Sequence, residues 1–310
     1  MKKSFSNHLF WFAAALLFQA CTNLHTPEKS ASAKLTVAPL APVNSENYWY
    51  QGKAEISTFE VQQARYGEDR TAEQVNVFVT EDFSAKKQVK LDDAAAAGAD
   101  RVPVLKLNAL RRFKTGIYDY SLMFSVFSPT QQTPNHALKS TWTVQDWCGH
   151  VFEQTNLQPD GSYRLRQFSY FEKEGDSDET LKPELLEDEI WTALRIDPAR
   201  FSNLNNVMVL PSTLYFRFQH KPFKVEKAVI SVEKGEKESV LNLVYADIPR
   251  KLAIRFETPA PHRILGWEES DGGKTTSRGT LKKTILSDYW QRHDNASEPL
   301  RDTIGLHFFQ

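Results

Sequence analysis

Cysteine is almost missing from this chain. Two residues in 310, Cys21 and Cys148, cannot supply the disulfide framework on which small secreted domains rely, so stability has to come from a core. An excess of one charge is missing too: 38 Lys and Arg stand against 39 Asp and Glu, interspersed along the chain. A nucleic-acid surface needs clustered cations to neutralise phosphates, so no nucleic acid is expected as a partner. Long apolar runs are also lacking, since the stretch from Leu9 to Phe18 falls short of the roughly 20 residues of a spanning helix. Neither G-x-S-x-G nor H-E-x-x-H occurs. Ser84–Lys87 and Ser231–Lys234 fit S-x-x-K but lack the companion elements of penicillin-binding enzymes. No enzyme class is indicated.

What the N-terminus does hold is an address. Lys2 and Lys3 precede the apolar run, and Ala20 stands just before Cys21, which is the layout of a bacterial secretory signal. The string from Leu16 to Cys21 resembles a lipobox, loosely matched at Phe18 and Gln19, in which the cysteine sulfur is lipidated and becomes the new N-terminus. The expected organisation is a signal peptide over 1–20, lipidated Cys21 opening a tether over 21–47, and a single β-rich domain over 48–310 with a possible subdivision near 174–206. Removing Lys2 and Lys3 lowers the cations from 38 to 36 against an unchanged 39 acids, so no basic excess appears. A tether rich in Ser, Ala, Pro and Thr, with a reach of about 5–6 Å × √n, holds the domain on the order of 30 Å from a bilayer. Acyl chains contribute about 0.8 kcal/mol per buried CH₂, so the membrane is the first expected partner. Thr22 is not an acidic retention signal, which places the expected anchor in the outer membrane, facing the periplasm.

From Tyr48 onward the dominant pattern is alternation with period two, the mark of strands with one buried face. Val75, Val77 and Val79 alternate, as do Leu252, Ile254 and Phe256 against Lys251, Arg255 and Glu257. Leu214, Phe216 and Phe218 read the same way. From Gly116 to Phe127 one face is wholly apolar: Tyr118, Tyr120, Leu122, Phe124 and Val126. Further strands are expected around 50–62, 102–110, 139–147, 150–156, 162–172, 226–233, 238–246, 262–268 and 275–286. Within 162–172 the apolar face shifts from Tyr163 and Leu165 to Phe168 and Tyr170, as a bulge near Arg166 or Gln167 would produce. One helix is expected near 183–196: Pro183 suits a first turn, and Leu186, Ile190 and Leu194 share a face. Asp197-Pro198 stops it. The fold class is mainly β, a large antiparallel curved sheet or incomplete β-barrel with that one helix.

Asp146-Trp147-Cys148-Gly149-His150 is the densest functional-looking cluster. On an unbroken strand Cys148 and His150 would share a face, close enough for a thiolate–imidazole pair, although Gly149 often marks a bulge. Trp147, Cys148 and His150 are therefore candidates, with the plainer alternative of a buried thiol beside a tryptophan. A metal site needs three or four ligands, and no third donor has a persuasive spacing, so no metal or other cofactor is expected. Glu172 to Glu179 holds five carboxylates but lacks the twelve-residue calcium-loop pattern, and reads as a solvated acidic loop. Gly272-Gly273-Lys274-Thr275 imitates the end of a phosphate loop, yet Glu268 stands where that motif needs glycine. It reads as a hairpin turn.

The strings ARYGE (Ala64 to Glu68), FVTEDFS (Phe78 to Ser84), TGIYDY (Thr115 to Tyr120), DWCGH (Asp146 to His150), EDEIW (Glu187 to Trp191) and GWEE (Gly266 to Glu269) together resemble a family of uncharacterised envelope lipoproteins from Gram-negative bacteria. The resemblance implies an envelope location and carries over no functional residue. Some such chains bear a Maf-type septum-inhibitor label. Maf proteins are cytoplasmic α/β pyrophosphatases, which a secreted β-rich chain does not resemble. The pattern from about Val225 to Glu269 is also similar in outline to half-barrel carriers of acyl chains, a likeness of architecture alone.

Three functions are expected in descending order. The first is a non-catalytic lipoprotein that binds a lipid or another amphiphilic envelope component on the apolar face Tyr118, Tyr120, Leu122, Phe124 and Val126. The second is a scaffold that docks envelope proteins or glycan through exposed aromatics. The third is a hydrolase or thiol enzyme built on Cys148 and His150.

Overall fold

Among the described residues fifteen strands lie side by side in one open sheet. The computed structural model describes residues 48–131 and 136–308, so the expected signal peptide, Cys21 and the tether lie outside the described residues. The first eight strands form an up-and-down meander: β1 (Ala54–Arg65), β2 (Glu68–Ser84), β3 (Arg101–Thr115), β4 (Tyr118–Pro129), β5 (Lys139–Gln145), β6 (His150–Leu157), β7 (Tyr163–Phe168) and β8 (Ser177–Leu181). The remaining seven start at the far edge and work back: β9 (Leu185–Leu186), β10 (Leu204–Leu210), β11 (Glu226–Glu233), β12 (Glu238–Tyr245), β13 (Arg250–Glu257), β14 (Ile264–Asp271) and β15 (Lys274–Ser287). β15 then pairs antiparallel with β1, joining the two halves. All neighbours are antiparallel except the short pair β9 and β10.

The link between the two edges reveals the curvature. β8 and β9 are the opposite ends of the strand order, yet only residues 182–184 connect them. With about 3.8 Å between consecutive Cα atoms, the edges there stand within about 15 Å of each other. The sheet curls almost into a barrel and stops short of closing.

Two helices occupy the concave side, α1 (Ile190–Ile196) and α2 (Thr213–Gln219), and a short α3 (Leu300–Thr303) follows the last strand. α1 lies against β3 and β4, with Ile190, Ala193 and Leu194 buried. It is shorter than expected. Pro183 sits in the link between edges, Leu186 belongs to β9, and a 3-10 turn over Glu187–Glu189 leads into the helix. The stop is as expected: the Asp197 side chain accepts from the Ala199 amide beside Pro198.

Three further expectations need correction. The Leu214, Phe216, Phe218 segment is helical, not extended. It begins after Pro211 and ends where His220 takes a left-handed φ of 51° and Lys221 donates back to the Phe216 carbonyl. In a run this rich in large apolar side chains, Leu214, Tyr215 and Phe216 are all buried, so period two and period 3.6 cannot be told apart. The bulge near Gln167 is absent: β7 stays in register with both neighbours, Gln167 takes the third inward place after Tyr163 and Leu165, and Phe168 faces out. The acidic stretch is not all solvated loop either, because its end forms β8 and Glu174 turns inward to Arg217 (3.0 Å) and His220 (2.6 Å).

The turn at Gly272-Gly273 is a two-residue hairpin with φ of 58° and 78°, positions that favour glycine. Among the described residues no helix is long and apolar enough to cross a membrane.

Candidate functional site

The two ends of the half-barrel are built differently. At the end where β1 begins, Tyr48 and Trp49 are buried, and Arg195 of α1 bonds Glu55 of β1 and the Pro261 carbonyl. That end is plugged. The other end carries the turns β1–β2, β3–β4, β5–β6, β7–β8 and β14–β15, and a cavity opens among them.

The strands set this cavity through their inward positions. β1 presents Val61 and then Gln63; β2 presents Gln74 and Asn76; β3 runs Leu105, Leu107, Ala109, Arg111, Phe113. A polar band thus interrupts the apolar interior. β13 adds Arg250, β14 adds Glu269, and β15 adds Ser277. α2 roofs the band with Leu214, Tyr215 and Phe218. Between roof and floor lies a cavity of about 250 Å³ whose lining includes the exposed Tyr66, Gly67 and Gln219, so it reaches the surface. A deeper chamber of about 30 Å³ shares Arg111, Leu214, Arg250 and Glu269 with it and adds Leu107, Leu122, Phe124, Trp142 and Trp191. That volume is about one water molecule's share.

Arg250 and Arg111 are both buried, but their charges are met differently. Arg250 pairs with Glu187 through Nε (3.0 Å) and Nη2 and with Glu269 through Nη2 (3.0 Å), while Tyr245 donates to Glu187 (2.7 Å). Arg111 has only neutral acceptors: Gln74 Oε1 from Nε (2.7 Å), and Gln63 Oε1 (2.5 Å) and Ser277 Oγ (3.1 Å) from Nη1. Burial pushes its guanidinium pKa down, and Glu269 nearby offsets this only in part. Arg65 at the mouth stacks on Tyr66 (4.4 Å) and Phe218 (4.5 Å) and also makes no ion pair among the described residues.

Further along the interior two carboxyls carry displaced protons. Burial pushes Glu153 up to about 8; neither oxygen has a hydrogen-bond partner of good geometry, and nearby Thr213 eases the charge only slightly. Burial and then Glu187 push Asp188 up to about 7, against donors from Trp142 and Ser140, both at 3.1 Å.

The residues singled out from sequence fall elsewhere. Tyr120, Leu122, Phe124 and Val126 are core: Tyr120 stacks on Phe113 (4.9 Å) and Phe124 on Trp142 (4.8 Å), while Tyr118 is half-buried at the strand start. Only Leu122 and Phe124 reach the small chamber. This face is not an open one, because the chain's own helices and rings cover it. Cys148 and His150 do not share a strand. Cys148 lies within the β5–β6 turn and His150 opens β6, with Asp146 Oδ1 accepting from the Cys148 amide (2.6 Å), and both side chains are exposed with no bond between them. Trp147 is 69 % exposed and touches Tyr118, and Tyr170 lies over Gly149. Among the described residues no group of His, Cys, Asp or Glu is placed to hold a metal.

Sequence reasoning passed over Arg65, Arg111, Arg250, Gln63, Gln74 and Glu153. The usable signal was a charged or amide side chain at an inward position of an alternating strand, as Arg111 follows Leu105, Leu107 and Ala109. The expected strand 102–110 ended one residue short of it.

No family model matches the chain, and no curated protein or solved structure matches it.

Proposed function

We propose that this chain is a non-catalytic lipoprotein of the outer membrane, held through lipidated Cys21 with its domain in the periplasm, which binds an amphiphilic envelope component in its half-barrel. One observation carries the reading: the half-barrel is plugged at the Arg195 end and opens at the other into a cavity of about 250 Å³. Ligand sites are typically concave, mostly apolar and sparingly polar, at about 300–1,000 Å³. This cavity lies just below that range, which suits the head of an amphiphile or a small ligand. Aromatic rings of α2 and the β1–β2 turn form one wall and the polar band the other. Native mass spectrometry of the chain from residue 21 with Cys21→Ser, purified from periplasm without detergent, tests it. A co-purifying mass that extracts into organic solvent supports the reading, and a clean apo mass counts against it.

A second reading, a module that docks an envelope protein or glycan, has its own support. Tyr66, Ile117, Trp147 and Tyr170 are 57, 87, 69 and 61 % exposed on four turns at the same end. Clustered exposed rings are a common mark of an interface. Cross-linking in the intact envelope through a photo-reactive group at Ile117 tests it, and capture of no protein or glycan counts against it.

A further inference from the structure

We propose that the cavity binds a single anionic group, a carboxylate or phosphate, between Arg111 on its floor and Arg65 at its mouth. The proposal rests on the amphiphile-binding reading for the rest of the ligand and adds the chemistry of its head.

Charge balance on the lining comes first. Three arginines face the cavity, Arg65, Arg111 and Arg250, against one acid, Glu269. Arg250 is committed to Glu269 and to Glu187 behind it. Counting both acids still leaves one positive charge, and it belongs to Arg65 and Arg111, neither of which has a carboxylate partner among the described residues.

Donor geometry points the same way. A guanidinium has five N–H donors in a rigid fork that suits carboxylate and phosphate oxygens. Arg111 uses Nε and Nη1 on Gln74, Gln63 and Ser277, and Nη2 donates to nothing among the described residues. The acceptors are themselves held in place, since Gln74 Nε2 donates to Asn76 Oδ1 (2.8 Å) and Gln63 Nε2 to the Thr276 carbonyl (3.0 Å). Three bonds thus fix a buried guanidinium and leave one nitrogen for a ligand. At the mouth, Arg65 Nε is buried with no partner, and its Nη2 reaches only the Tyr66 (3.5 Å) and Tyr120 (3.3 Å) hydroxyls. Arg111 is a buried cation without a carboxylate, which is costly, and an anion bridging it to the half-buried Arg65 would offset that cost.

The apolar part of the ligand points outward. The inner chamber has room for about one water, so it takes no alkyl chain. From the mouth, rings continue from Tyr66 and Phe218 through Tyr120 and Tyr118 to Trp147, with neighbouring centroids no more than 6.5 Å apart. An amphiphile with its head inward lays its body along the accessible members of this set, Tyr66, Phe218, Tyr118 and Trp147, which surround the buried Tyr120.

The test titrates the chain from residue 21, with Cys21→Ser, with four probes followed by calorimetry: laurate, dodecyl phosphate, dodecanol and inorganic phosphate. Laurate and dodecyl phosphate are expected to bind at least about 10-fold more tightly than dodecanol, as a charge-assisted hydrogen bond implies. Arg111→Gln and Arg65→Gln should each weaken the two anionic amphiphiles by roughly 10- to 100-fold and leave dodecanol unchanged. Equal binding of dodecanol and laurate, indifferent to both substitutions, overturns the anion site while the amphiphile reading survives. Inorganic phosphate that binds as tightly as dodecyl phosphate, with the same arginine dependence, supports the anion site and removes the amphiphile reading. Binding of no probe overturns both. Arg111→Gln disturbs a buried network, so a melting curve accompanies it. If that variant unfolds, Arg65→Gln, in which no bonded carboxylate is orphaned, decides.

Discussion

Arg195 and Glu55 meet through two parallel hydrogen bonds of 2.7 Å, Nη1 to Oε1 and Nη2 to Oε2, with neither side chain exposed. The pair ties α1 to β1 and closes one end of the half-barrel. Burial alone would push the Glu55 carboxyl up, but the Arg195 charge and hydrogen bond, helped by Tyr48, hold it below its usual value. The guanidinium also stacks over Trp49 (4.8 Å) and Phe78 (4.6 Å), so its flat faces are covered as well.

Breaking one side of this pair strands the other charge in the core. Glu55→Gln is expected to cost about 3–5 kcal/mol, a large share of the 5–15 kcal/mol typical of a domain. Removing both charges with Glu55→Leu and Arg195→Met should recover most of the loss, since an apolar replacement leaves no unpaired ion. Urea unfolding midpoints of the single and double variants check this. A double variant no more stable than the single one would mean that shape, not charge pairing, holds this end together.

Glu153 gives stability a pH dependence of the opposite kind. Its carboxyl titrates near its ordinary 4.5 when unfolded and at about 8 when folded. Between those values the folded chain binds the extra proton, so stability falls as pH rises through this window. Asp188, pushed up to about 7, adds to the slope from its ordinary 3.8 upward. The expected outcome is a melting temperature higher at pH 5.5 than at pH 8.5. Glu153→Gln keeps the shape and removes the titration. It should therefore flatten the profile and gain on the order of a few kcal/mol at the alkaline end. Melting curves at the two pH values decide; an unchanged slope in the variant would assign it to other groups.

The fold is more legible in the sequence than the site is. Strand periodicity is a local property, and it locates β4, β11, β12 and β13; in β2 it finds the strand but the wrong face, since Val75 and Val77 point outward while Gln74, Asn76 and Phe78 are the buried ones. It fails where the chain is short or mixed. β10 has exposed Asn205 and Asn206 within it, β9 is two residues long, and α2 is apolar on too many sides to show a period. The site is harder still. Arg111 gains meaning only beside Gln74, Gln63 and Ser277, which lie 37, 48 and 166 residues away: Gln74 faces it across the β2–β3 pair, Gln63 stands one strand further on β1, and Ser277 arrives only when β15 pairs with β1. Nothing local signals that closure.

Cys148 tests the reading in which this chain is an enzyme. Its thiol is exposed on a turn held by Asp146, with no contact to His150. Iodoacetamide should label it in the folded protein about as fast as in urea. Cys148→Ser should leave both the urea midpoint and laurate binding unchanged. Protection of the folded thiol, or a loss of binding in the variant, would move Cys148 into the working part of the molecule.

Gly279 shows how closely the site's supporting shell is packed. It pairs across the strands with Trp267, and a Cβ built on it would sit 2.3 Å from the indole ring. The ring has nowhere to go: Phe59 (5.1 Å) and Trp191 (5.5 Å) meet it edge-on, Arg111 lies over it at 5.5 Å, and its Nε1 donates to Ser277 (3.0 Å). Ser277 is also an acceptor for Arg111, so displacing the indole disturbs the guanidinium from two directions. Gly279→Ala is expected to cost about 1–3 kcal/mol through overpacking and to change the near-ultraviolet circular dichroism of the tryptophans. It should weaken laurate binding even though it touches no ligand atom. If stability falls while laurate affinity holds, Trp267 supports the sheet alone and the orientation of Arg111 comes from Gln63 and Gln74.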